Sequence, residues 1–220
     1  MAVYDLEEQE QLDELKTWWK QYGNLVTNIL VVIAVVLAGW QGWNWWQRNQ
    51  ASQASAIYVA AQQAAGRGDA KKVRELAGEL IDKYSSTTYA GLAALLSAKV
   101  QAELGDAKNA KPQLIWAAEK GSEDLRDLAR LRLAALLLDE AAYDEALKQL
   151  AAEPLLPFAP RFNDLKGDIL AAQGKKAEAL AAYEAALAKL DELKKGGSET
   201  EGRGYRDALK AKRDAMGGAK

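Results

Sequence analysis

The chain has 220 residues, 27% of them charged, and a formal net charge of −2. It contains no cysteine and no histidine, which removes disulfides, thiol nucleophiles, the commonest general base and the commonest metal ligand together. No basic stripe emerges along it, so nucleic-acid binding, which needs clustered Lys and Arg against phosphate, is not expected.

Residues 1–23 are acidic. Asp5, Glu7, Glu8, Glu10, Asp13 and Glu14 face only Lys16 and Lys20, leaving a net −4. Between Lys20 and Arg48 lie 27 successive residues without a formal charge. A cleaved secretion signal, a buried core helix and a permanent anchor are the three readings of such a stretch. Residues 29–38 are apolar all round, which opposes an amphipathic core helix. Ala54-Ser55-Ala56 resembles a cleavage site, but it falls behind four tryptophans and Arg48, and a polar 23-residue segment precedes the apolar run. A helix over 24–46 rises roughly 33 Å, enough to cross the hydrocarbon of a lipid bilayer. Trp18 and Trp19 before it and Trp40, Trp43, Trp45 and Trp46 after it suit the headgroup level. The sequence therefore predicts a transmembrane helix at 24–46. Two lysines before it against one arginine after it lean towards a cytoplasmic N-terminus.

Within that span Ala34, Ala38 and Gly42 recur every four residues, and Asn28 falls near the same face. Small residues let helices approach closely and amides hydrogen-bond across them in lipid, so these four residues are a candidate helix–helix contact face. Their abundance in ordinary spans is the plainer reading.

From residue 47 to 195 the chain is rich in strong helix formers, with helical periodicity almost throughout. GDAKKVREL (68–76), GDAKNAKPQL (105–114), AAYDEALKQL (141–150) and GKKAEALAAY (174–183) align so that Val73, Ala110, Ala146 and Ala179 are equivalent, at spacings of 37, 36 and 33. Each opens a second helix; a longer helix precedes each, at about 50–65, 87–104, 123–139 and 160–173. Four helix–turn–helix units with a period near 34 predict an all-α, tetratricopeptide-like α-hairpin solenoid, in which no unit buries its apolar face alone. Glycines 66, 68, 105, 121 and 174 fall where helix C-caps are expected. EPLLPFAPR (153–161) reads as a rigid break between helices. Residues 196–204 read as a flexible linker, and a weak helix over 205–216 as a cap on the array's open end. Together 196–220 form the tail.

No phosphate-cradling loop or nucleophile motif occurs, and no enzyme activity, metal or cofactor is expected. The densest acidic group of the domain, Glu123, Asp124 and Asp127, follows Gly121-Ser122 at a helix start, where acids favour the dipole. What remains is surface. In such solenoids the first helix of each unit lines a concave face that binds peptides or proteins. Tyr58, Tyr89, Leu92, Lys99, Arg126, Arg130 and Phe162 lie on first helices; the polar ones, Lys99, Arg126 and Arg130, are candidate groove contacts, with solvated helix charges as the plainer reading.

The order of segments VYDLEEQEQLDELKTWWKQYGN, GWQGWNWW, QASQASAIYVAAQQA, YSSTTYAGLAALLSAKVQAELGD, LRDLARLRLAALLLDEAAYDEALKQL and DLKGDILAAQGKKAEALAAYEAAL resembles the YfgM family, ancillary subunits of the bacterial SecYEG translocon. The likeness covers residues 3–190; the Gly- and Lys-rich tail after Lys195 departs from it. The resemblance implies a single-pass inner-membrane protein with a cytoplasmic N-terminus and a periplasmic repeat domain. It implies as partners the translocon, a membrane-anchored periplasmic chaperone and newly exported polypeptides. The alternative is a membrane-anchored scaffold or regulator of envelope stress signalling, acting through the cytoplasmic segment 1–23.

Overall fold

The computed structural model describes residues 3–195 and 203–217, with side chains from Glu10 onward and from Gly204 in the last helix. The acids before Glu10 and most of the expected linker, residues 196–202, therefore lie outside the described residues. No strand occurs among the described residues; the fold is all-α. Two compact units divide the chain, Met1–Gln50 and Ala51–Lys220.

The first unit is part of one long helix, α1 (Val3–Gly66). No helix end marks the expected bounds of the span at 24 and 46, because no proline interrupts this sequence and its glycines stand singly among good helix formers. An 18-residue stretch is apolar enough to cross a membrane, and only 6% of it is buried within the protein. Leu25, Ile29, Val32, Val36 and Leu37 all stand exposed. A soluble core helix would have covered them; a lipid environment covers them without other protein. Trp18 contacts Trp19 and Tyr22, with centroids 6.3 and 5.8 Å apart, and Trp43 contacts Trp46 at 5.2 Å. The rings thus cluster at both ends of the apolar stretch, as interfacial belts do.

The second unit stacks helical hairpins. The end of α1 is followed by α2 (Ala70–Lys83), then by the pairs α3 (Thr88–Glu103) with α4 (Ala107–Lys120), α5 (Glu123–Asp139) with α6 (Tyr143–Gln149), and α7 (Ala159–Ala172) with α8 (Lys176–Lys195); α9 (Arg203–Ala215) closes the series. The aligned positions Val73, Ala110, Ala146 and Ala179 are all fully buried. A small residue there lets the second helix lie close to its neighbours, which is why the repeat could be read from it. The core runs as three clusters: one around Ala54, Leu80 and Ala93; a long central one from Ala94 to Ile169; and a C-terminal one from Leu170 to Leu209.

One hydrogen-bond pattern recurs at all four turns inside the hairpins. The amides of Asp69, Asp106, Ala142 and Lys175 return to the carbonyls of Ala64, Gln101, Leu137 and Leu170, each five residues back. This closure needs a left-handed residue just before it. Gly68, Gly105 and Gly174 supply it at φ of 73, 73 and 77°. In the third turn, where the sequence offers no glycine, Ala141 takes φ 58°. The expected glycine caps thus hold at three turns, and an alanine carries the strain at the fourth. Asp69 and Asp106 then cap the next helix, accepting the amide protons of Lys72 and Asn109 at 3.0 and 3.1 Å.

The proline-rich break is ordered and partly helical. Pro157 sits in a 3₁₀ turn, Leu156–Phe158, and Pro160 opens α7, where a missing amide proton costs nothing.

Candidate functional site

The acidic group at the start of α5 divides on inspection. Asp124 accepts from Ser122 Oγ at 2.7 Å, and this hydrogen bond holds its carboxyl below the usual range. Asp127 is nearly buried, at 4% exposure, and accepts the amide proton of Leu155 at 2.8 Å. It therefore anchors the proline-rich loop onto α5, a role that its position one turn into the helix did not reveal.

That arrangement also settles where the groove candidates stand. Arg130 is 3.6 Å from Asp127, so its guanidinium is engaged with the carboxylate that holds the loop. Lys99 is exposed and 3.7 Å from Glu103, one turn along α3. Arg126 is half-buried and makes no side-chain hydrogen bond or ion pair with the described residues. Phe162 is core, at 3% exposure. Tyr58 and Tyr89 are half-buried and stack against each other at 5.8 Å while packing on the first core cluster. Arg130 thus has a structural partner in Asp127, and Lys99 a neighbour in Glu103.

A further cation, on α5, escaped the sequence reading. Arg132 on α5 reaches α3, where Nη1 donates to the Leu95 carbonyl at 3.4 Å. In an α-helix that carbonyl already accepts the amide of the residue four ahead, here Lys99. Arg132 thus lies at the foot of Lys99. Burial pushes its guanidinium pKa down, and no carboxylate opposes the shift. In sequence it alternates with leucines in Arg130-Leu131-Arg132-Leu133, a pattern that on a helix carries no indication of which arginine finds an acid.

A concavity lies along the second helix of one hairpin. Along α4, Lys108, Lys111, Pro112, Ile115, Trp116 and Glu119, with Ala107 and Glu140, line an open groove of about 560 Å³. Lys111 pairs with Glu140 across it. Pro112 lacks an amide proton, which frees the Lys108 carbonyl from the helical ladder at the groove wall.

In the first unit, Asn28, Ala34, Ala38 and Gly42 are all exposed, and a β-carbon built on Gly42 meets nothing within 4 Å. The expected contact face is therefore uncovered within the protein.

The last helix is more firmly placed than its composition suggested. Leu209 of α9 is fully buried among Leu170, Ala182, Tyr183 and Leu190. Lys212 Nζ lies 2.8 Å from Asp164 Oδ1 and 2.7 Å from Asp168 Oδ2, both on α7. Asp168 also accepts from Tyr183 Oη at 2.9 Å, so α7, α8 and α9 meet at one carboxylate. Arg206 pairs with Asp191 at 2.7 Å, and Arg161 lies 3.6 Å over the Tyr205 ring. The C-terminal helix caps the stack, as an exposed last hairpin requires.

Comparison with known proteins adds a family to this architecture. A family model described as a tetratricopeptide repeat-like domain matches residues 16–218, taking in the apolar stretch, every hairpin and the C-terminal helix that seemed foreign to the family from sequence. Four curated relatives carry the name ancillary SecYEG translocon subunit, the following three among them. That of Neisseria gonorrhoeae is 29% identical over 192 residues, covering 86% of this chain and 91% of the relative. That of Haemophilus influenzae is 30% identical over 185 residues, covering 84% and 90%. That of Escherichia coli K12 is 28% identical over 188 residues, covering 85% and 90%.

Proposed function

Because the chain belongs to the tetratricopeptide repeat-like family of ancillary SecYEG translocon subunits, we propose that it is a membrane-anchored, non-enzymatic adaptor at the SecYEG translocon. The observation that carries this reading is the extent of the likeness. The likeness to the relatives so named takes in 84–86% of this chain and 90–91% of theirs, far more than a generic helical hairpin would. In this reading α1 crosses the inner membrane with residues 1–23 in the cytoplasm, and the repeat unit stands in the periplasm. The face of Asn28, Ala34, Ala38 and Gly42 meets translocon helices, where small residues allow close packing in lipid. The first-helix face, with Lys99 and Arg126 on it, meets a membrane-anchored periplasmic chaperone or a newly exported polypeptide. Tethering both at the exit site raises their effective concentration, so each contact can be weak. No cofactor takes part.

Photo-crosslinking in intact membranes tests this. A photoreactive residue at Ala38 should yield translocon subunits, and one at Lys99 a periplasmic chaperone or an exported chain. Protease added outside the inner membrane of spheroplasts should digest the repeat unit. Protection of that unit, or products at both positions unrelated to export, would refute the reading.

A further inference from the structure

The half-buried cations of the repeat unit generally hold a carboxylate: Lys111 on Glu140, Arg206 on Asp191, Lys212 on Asp164 and Asp168. Arg74, Arg126 and Arg132 hold none among the described residues, and of these three Arg132 is the one whose guanidinium reaches a neighbouring helix. Among the described residues its one partner is the Leu95 carbonyl, at the long distance of 3.4 Å, which leaves most of its N–H donors unmatched by them. A partly desolvated guanidinium without an acid is costly, and it attracts an anion more strongly than a fully solvated one does. Its neighbours are apolar. Leu128 and Leu136 lie one turn before and one turn after it on the same ridge of α5, and both are half-buried. Across from it, Leu92 and Leu96 of α3 are half-buried on the helix whose backbone Arg132 touches.

We propose that this ridge is a docking site for an apolar polypeptide segment carrying one internal acidic side chain, whose carboxylate pairs with Arg132. The charge identifies the ligand as an anion, and the flanking leucines identify it as apolar on both sides of that anion. A C-terminal carboxylate would end at Arg132 and leave the leucine on one side uncovered; an internal Asp or Glu covers both. Lys99, whose amide shares the Leu95 carbonyl, is exposed and lies 3.7 Å from Glu103. This rests on the adaptor reading for its biological setting, since it names the chemistry of a segment the adaptor would hold.

The test uses the full chain in lipid nanodiscs and three short leucine- and serine-containing peptides: one blocked at both ends with a central Glu, its Gln counterpart, and the Gln peptide with a free C-terminal carboxylate. The blocked Glu peptide should bind about tenfold more tightly than its Gln counterpart, a margin typical of one charge-assisted contact. Arg132→Gln should abolish the difference, and Arg132→Lys should retain part of it. A photoreactive leucine beside the Glu should label α3 and α5 in the unsubstituted protein, which keeps the idea testable if Arg132→Gln does not fold. Equal binding of the Glu and Gln peptides, a preference that survives Arg132→Gln, tighter binding of the free-carboxylate peptide, or labelling confined to other helices would each overturn the proposal. Because no translocon is present, failure here would leave the adaptor reading to its own crosslinking test.

Discussion

Gly167 of α7 lies under the Tyr183 ring of α8 so closely that a β-carbon at 167 would stand 2.6 Å from Cδ1. The ring cannot swing aside freely, because Tyr183 Oη is tied to Asp168 Oδ1. An alanine in a helix ordinarily gains about 1 kcal/mol over glycine. Here the overlap outweighs that gain, and Gly167→Ala should destabilise the repeat unit by about 1–2 kcal/mol, the lower range for overpacking. Thermal denaturation followed by circular dichroism would show the fall. An unchanged or raised midpoint would mean that the two helices separate easily.

The opposite sign is expected at Ala141. It alone among the described non-glycine residues holds a positive φ, in a turn that three glycines make elsewhere. Relief of the left-handed strain, worth about 1–2 kcal/mol, exceeds the unfolded-state entropy that glycine adds. Ala141→Gly should therefore stabilise by about 0.5–1 kcal/mol. Gly105→Ala is the matched control. Nothing lies within 4 Å of its added β-carbon, so backbone strain by itself should lower the midpoint there.

The docking of α9 should be sensitive to alkali. Burial lowers the Lys212 pKa, but hydrogen bonds from Lys212 to Asp164 and Asp168 and their charges outweigh it, and the folded value stands above the ordinary 10.5. A raised lysine pKa contributes stability that is complete below 10.5 and is lost as pH climbs through the folded value. Tyr183 acts in the same direction. Burial first, and then its bond to Asp168, raise its pKa, so its ionisation in the unfolded chain also favours unfolding in alkali. Lys212→Met should cost on the order of 1–2 kcal/mol at neutral pH, less than a fully buried pair because Lys212 is more than one-third exposed. Hydrogen exchange at pH 7 should localise the loosening to residues 203–215. In melts above pH 10.5 the two proteins should converge; a gap that is constant across that range would contradict the ion-pair account.

A charge placed in the middle of the apolar stretch distinguishes a membrane span from a helix awaiting a protein partner. Val32 is 62% exposed. Val32→Arg should cost about 3 kcal/mol of insertion free energy. Alkaline carbonate extraction would then release a larger share of the variant from membranes. Equal retention would argue that protein contacts, not lipid, hold α1.

Much of the architecture lies in local sequence because it depends on local spacing. An uncharged run between Lys20 and Arg48 with tryptophans at its ends marks a candidate span wherever it sits. The alanines at 110, 146 and 179, with Val73 at the equivalent position, report the hairpin register, since each is fully buried where two helices touch. Other features depend on which groups meet across helices. Arg130 and Arg132 look alike in sequence, two arginines among leucines, yet one finds Asp127 and the other finds only a carbonyl. Asp127 looks like a helix-start acid until the Leu155 amide arrives from 28 residues away. The last helix, short and polar, acquires its place only when Leu209 and Lys212 reach α7 and α8.

The sequence by itself therefore determined an oily helix, a repeating all-α array and the absence of His and Cys chemistry, because periodicity and composition are properties of the chain alone. Tertiary structure decided which charges find an acid and which do not among the described residues, how the array ends, and which backbone turn is strained. Those outcomes depend on distances between residues far apart in the chain, and packing alone sets such distances.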